Sequence, residues 1–96
     1  MTTETGSTVR QRVVYSGRVQ GVCFRATAYE LSRRHKVVGF VRNQRDGTVE
    51  LEAEGLTTEV EEFLASVAQE FTGYIANEQR TTAQPRGEEV RFEILY

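Results

Sequence analysis

This chain has little with which to bind a metal or cross-link itself. Its 96 residues include one cysteine, one histidine, one proline and no tryptophan. A lone cysteine closes no internal disulfide, so a reducing compartment, the cytoplasm, is the expected setting. One His and one Cys cannot assemble a His/Cys zinc set, so no metal is expected. A Ser-His-Asp arrangement would have to rest on His35 alone. No apolar run approaches the length of a membrane span. The segment Met1–Thr8 is polar and lacks the apolar stretch of a secretory signal, so no membrane partner is expected. The net charge of −2 argues against a nucleic-acid partner, although a local basic patch stays open.

What is present is an ordinary globular balance, 39% hydrophobic and 27% charged, enough for one small core. Residues 1–8 read as a flexible tail and 9–96 as a single domain. Val9–Ser16 reads as a strand ending at Gly17. Phe24, Ala28, Leu31 and His35 then recur at helical spacing, predicting a helix from about Arg25 to Lys36. Val37–Asn43 is branched and aromatic, as strands are, and Asp46-Gly47 signals a hairpin. In the strand that follows, Val49, Leu51 and Ala53 alternate with Glu50, Glu52 and Glu54, which predicts one covered face and one solvated face. Thr58-Glu59-Val60-Glu61 fits a capping box. Val60, Phe63, Leu64, Val67, Ala68 and Phe71 form an apolar stripe on the helix it would open. Tyr74–Thr82 is a weaker strand, Ala83–Glu89 a loop, and Val90, Phe92 and Ile94 mark a last strand. The order predicts an α+β fold of the split βαβ, ferredoxin-like kind: a mostly antiparallel sheet with two helices on one face. In that arrangement the first helix is expected to return the chain to a strand parallel to the first and next to it.

The segment Gly17-Arg18-Val19-Gln20-Gly21-Val22-Cys23-Phe24-Arg25 lies between the first strand and the first helix. Glycine lets a turn direct backbone N–H groups at a ligand. A helix N-terminus adds unpaired N–H groups and the positive end of its dipole. Arg25 adds a permanent planar charge that grips phosphate with two hydrogen bonds. Together they describe an anion cradle in which the N–H groups of Gln20, Gly21, Val22, Cys23, Phe24 and Arg25 converge. Against this stands a plain tight turn, with Arg25 a solvated surface residue. Asn43, at the end of the second strand, is expected to approach Arg25 across one sheet edge. Its amide is donor and acceptor at once and can orient a water, although asparagine is also a common turn residue.

The two segments together resemble the acylphosphatase family. The first supplies every fixed position of G-x-V-Q-G-V-x-F-R. In the second, Gly39, Phe40, Asn43, Gly47, Val49 and Gly55 stand at the family's spacing. The resemblance runs from about Tyr15 to Gly55 and continues more loosely into Phe92-x-Ile94. Tyr15 departs from the usual branched aliphatic residue, and Thr72-Gly73-Tyr74 lacks the usual Gly-Pro.

The resemblance implies hydrolysis of the carboxyl-phosphate bond of acyl phosphates to carboxylate and inorganic phosphate. Arg25 would bind the phosphate and Asn43 would position the attacking water. No metal or other cofactor is implied. So sparse a site suits phosphoryl transfer, which runs on positioning and electrostatics, and a carboxylate leaves without a general acid. A monomer is the default expectation. Two other classes stay open. One is a non-catalytic phosphate- or anion-sensing regulatory domain. The other is an RNA-binding module on the same fold, for which the flanking aromatic residues are missing. Cys23 stands too close to Arg25 for a cysteine-phosphatase loop and reads as a small loop residue. His35 reads as a helix C-terminal residue, the three glutamates as a solvated face and Thr27 as an ordinary helix position. No segment marks a pocket for the acyl group.

Overall fold

The computed structural model describes residues 7–96; of the expected tail, residues 1–6 lie outside that range. Thr8 already pairs with Leu56, so the first strand begins inside the expected tail. The elements are β1 (Thr8–Gly17), α1 (Phe24–Ser32), β2 (Val37–Asn43), β3 (Val49–Leu56), α2 (Thr57–Glu70), β4 (Ile75–Ala83) and β5 (Phe92–Leu95). The five strands form one sheet in the order β4-β1-β3-β2-β5. Every pairing is antiparallel except β2 with β5. This is the expected ferredoxin-like α+β fold, with an added edge strand.

One expectation about topology fails. β2 does not lie beside β1; β3 sits between them and pairs with both. β1 and β2 still run in the same direction, so the loop after β1 and the last residue of β2 reach the same end of the sheet. A hairpin partner filled the gap that the crossover left.

Alternation along the strands builds the core. Val13 and Tyr15 of β1, Leu51 and Ala53 of β3 and Val41 of β2 are all buried. They meet Phe24, Ala28 and Leu31 of α1 and Val60, Phe63, Leu64 and Val67 of α2. Phe24 stacks on Phe71 with centroids 4.3 Å apart and tilts against Tyr15 at 5.0 Å. The root of the candidate loop is therefore anchored in an aromatic cluster of Tyr15, Phe24, Phe71 and Tyr74. Gly39 allows the sheet to close around it. At φ 140 a Cβ on Gly39 would stand 2.0 Å from the Glu52 carbonyl oxygen of the neighbouring strand.

The helices begin and end differently from the sequence expectation. α1 stops at Ser32, short of Lys36. The N–H groups of Arg33, Arg34 and His35 donate to the carbonyls three residues back, a tighter winding that turns the chain into β2. His35 therefore lies beyond the helix, its Nδ1 3.6 Å from Glu59. The capping box is not made. α2 opens two residues earlier than the box requires, at Thr57, with Leu56 as its N-cap and no side-chain cap. Thr58 is thus already inside the helix. Glu59 supplies a first-turn negative charge, favourable at the positive end of the dipole, and accepts the Lys36 N–H at 3.0 Å.

The glutamate face of β3 is the largest correction. Glu50, Glu52 and Glu54 are buried rather than solvated. The register explains why. Arg10 and Arg12 of β1 stand opposite Glu54 and Glu52, and Arg42 of β2 stands opposite Glu50. Arg10, 1% exposed, donates to Glu52 at 2.5 Å, to Glu54 at 2.8 Å and to Glu89 at 2.6 Å. Glu50 accepts from Arg12 and Arg42, both at 2.6 Å. The loop after β4 crosses this face, and the N–H groups of Arg86 and Gly87 donate to Glu54 at 2.8 and 2.9 Å. Opposed charges on neighbouring strands, not water, satisfy these carboxylates.

Candidate active site

Gly17–Arg25 leaves the top of β1, is tied down at both ends and is open in the middle. Behind it, the Arg18 N–H donates to the Tyr74 carbonyl at 2.9 Å, and Val19 is fully buried. The Gln20 side chain then donates from Nε2 to the carbonyls of Gln44 and Thr48, each at 2.8 Å. That carboxamide clamps the loop to the β2–β3 hairpin, the element that carries Asn43. Gln20 was singled out for its backbone; the structure gives its side chain this separate work.

Gly21 follows at φ 77, and a Cβ there would meet no atom within 4 Å. Cys23 is the N-cap of α1 at φ 64, the left-handed region, and makes no side-chain cap. It is the one non-glycine residue with positive φ among the described residues. Such a conformation costs about 1 kcal/mol or more. The first helical bond is Thr27 N–H to the Cys23 carbonyl at 3.0 Å. The N–H groups ahead of it are left outside the helical ladder, and with them the positive end of the dipole.

Gly21, Cys23, Phe24 and Arg25 line one cleft, and Asn43 closes it from the end of β2. The structure thus brings together the two residues singled out for chemistry. Val22 packs instead against the core, and neither it nor Gln20 lines the cleft. Four further residues line it that were not singled out in the sequence: Val19 and Ala26 flanking the cradle, and Ile94 and Tyr96 from the far end of the chain. The parallel register sets Val41 against Ile94 and Arg42 against Leu95, so the residue after β5 arrives beside Asn43. The Tyr96 ring lies under the Arg25 guanidinium, 4.9 Å from its Cζ, within cation–π range. The only signal in the sequence was an aromatic residue after the last strand, which is mute without the register.

Electrostatically the cleft is positive. Ion pairs among the described residues engage Arg10, Arg12, Arg33, Arg42, Arg80, Arg86 and Arg91, and leave Arg25 unpaired. An unpaired guanidinium beside unpaired N–H groups favours an anion with several oxygens.

A model of the family described as acylphosphatase matches residues 11–94. The chain belongs to the acylphosphatase family. It is 34% identical over 88 residues to an acylphosphatase of Geobacillus thermodenitrificans, covering 91% of this chain and 94% of that one. It is 44% identical over 59 residues to an acylphosphatase of Bacillus licheniformis, where the match takes in 62% of this chain and 66% of the relative. The crystal structure of acylphosphatase from Bacillus subtilis superposes with a TM-score of 0.82 at 29% identity, over 92% of this chain and 99% of that one. The acylphosphatase match spans both the loop and Asn43, and it places the chain among hydrolases. No helix among the described residues is long and apolar enough to cross a membrane.

Proposed function

We propose that this chain hydrolyses acyl phosphates to a carboxylate and inorganic phosphate, with the phosphate held by Arg25 and the loop amides and the water placed by Asn43. One observation carries the reading: Arg25, the unpaired N–H groups at the start of α1 and the Asn43 amide meet on a single cleft. In this arrangement the phosphate's oxygens are shared between the guanidinium fork and the backbone donors from Gln20 to Arg25. These donors are fixed before the substrate arrives. Gln20 holds the loop and Phe24 roots it, so little reorganisation is needed as charge shifts in the transition state. The Asn43 amide orients a water on the face opposite the leaving carboxylate. The carboxylate is a weak base and departs unprotonated, and the substrate phosphate can take up the water's proton. No residue of the chain then has to titrate during turnover, and the exposed Cys23 thiol is given no covalent role.

The test is hydrolysis of benzoyl phosphate in the presence of EDTA. Turnover by the native chain is expected, with a loss on the order of 3 kcal/mol or more in transition-state stabilisation for Arg25→Ala. Asn43→Ala is expected to lower kcat while leaving inhibition by inorganic phosphate in place, since the water and not the phosphate loses its partner. Phosphate binding without turnover would instead assign the cleft to anion sensing.

A further inference from the structure

Beside the Arg25 cleft runs a second groove, lined by Arg42, Asn43, Gln44, Arg45 and Tyr96. We propose that this groove is a second anion subsite, and that it selects acyl phosphates whose acyl group carries a carboxylate or a comparable negative substituent. The inference rests on the acyl phosphate reading and deepens it.

The two depressions share Asn43 and Tyr96. A substrate with its phosphate on the loop therefore has a continuous path past the water-positioning amide and the Tyr96 ring into the groove. The charged side chains that line the groove are of one sign: two arginines and no carboxylate side chain. Arg42 is oriented by its Nε, which donates to Glu50 at 2.6 Å, and half of its side chain faces solvent. It belongs to the lattice on the open sheet face. There Arg10, Arg12, Arg42 and Arg86 are set against Glu50, Glu52, Glu54 and Glu89, four charges to four.

Arg45 is different. It lies exposed in the β2–β3 turn and enters no ion pair among the described residues. The adjacent Asp46 carboxylate, itself exposed, is engaged by Thr48, accepting from its N–H at 3.0 Å and its hydroxyl at 2.6 Å. The groove thus ends in a cation on a tight hairpin that makes no ion pair among the described residues, a group suited to recognising a distal anion. Gln44 also lines the groove, its carboxamide held by Glu50 and Thr48.

Benzoyl phosphate and 4-carboxybenzoyl phosphate differ by one distal carboxylate, so the ratio of their kcat/KM values isolates this subsite. The native protein is expected to favour the carboxylated substrate. Arg45→Gln is expected to lower the ratio about fivefold, the effect of one exposed ion pair, and Arg45→Glu to lower it further. A second reading needs no variant. Raising salt from about 10 mM to about 0.5 M should erode the native preference, since the contact is solvent-exposed. A ratio that is the same in all three proteins and indifferent to salt overturns the proposal while leaving acyl phosphate hydrolysis intact. Failure of the native chain to turn over either substrate overturns both.

Discussion

The Gln20 carboxamide reaches the Thr48 carbonyl at 2.8 Å, and that one side chain ties the anion loop to the hairpin that carries Asn43. Two halves of a site that approach from different strands need such a link to hold a fixed distance. Gln20→Ala is expected to cost about 1 kcal/mol of stability, because Thr48 retains its bond from the Gln44 N–H. Its larger effect should be on catalysis: kcat/KM for benzoyl phosphate is expected to fall about tenfold or more, since a small misplacement of catalytic groups is costly. Urea unfolding and steady-state kinetics on one preparation separate the two effects.

Gly21→Ala addresses the cradle. With no atom within 4 Å of the new Cβ, nothing clashes and the fold should persist at a cost of about 1–2 kcal/mol for the φ of 77. Inhibition by inorganic phosphate should weaken severalfold, because the loop has to relax away from the conformation that aims its N–H groups. Unchanged inhibition would place the anion elsewhere.

The open sheet face makes stability depend on acid. Burial alone would raise the Glu54 carboxyl, but the Arg86 N–H, the Arg10 guanidinium and the Gly87 N–H hold it below its usual range. Glu50 is likewise held down, with burial opposed by Arg12 and Arg42. Both groups have folded values below the unfolded 4.5. Their contribution is therefore fully present above that value and is lost as pH falls through the folded values. The urea midpoint is expected to hold from pH 7 to about 5 and to drop steeply below about 4.5. Glu54→Gln should be less stable at neutral pH and should show a shallower drop. An equally steep drop in the variant would move the acid sensitivity to other carboxylates.

Tyr15 offers the opposite case. Its hydroxyl is buried and has no hydrogen-bond partner among the described residues, and burial raises its pKa well above the ordinary phenol range. Tyr15→Phe keeps the ring against Phe24 and removes the unpaired oxygen. A gain of about 1 kcal/mol is expected, a rise in Tm of roughly 4–8 °C for a domain of this size. A lower Tm would show that the hydroxyl is bonded after all.

Local patterns carried most of the architecture. The period of two in β3, the Asp46-Gly47 hairpin and the apolar stripe of α2 depend only on near neighbours, and the elements followed. The loop and Asn43 were legible for a similar reason, since glycine spacing and a helix start are local features. What escaped depends on which strand lies beside which. The glutamates of β3 read as solvated until the register set Arg10, Arg12 and Arg42 against them. The signal was there in alternating arginines on two other strands, but only pairing gives it meaning. The same holds for β3 lying between β1 and β2, and for Ile94 and Tyr96, which reach the cleft through a parallel ladder that no local pattern announces. Thr58 failed as a cap for a smaller reason: the helix boundary shifted by two residues where β3 hands over directly to α2.

β5 is four residues long and pairs with β2 along one edge only. It is therefore a natural place for the molecule to fray without unfolding. Detachment would leave the loop, Arg25 and Asn43 in place and carry off Ile94 and Tyr96 from the cleft, with Phe92 from the core. A chain frayed there would keep its appetite for phosphate and its Arg45 cation, but lose the Tyr96 wall shared by cleft and groove, weakening its discrimination among acyl groups. Substrate preference, measured across temperature, would thus register the loosening of one short strand well before any spectroscopic melt.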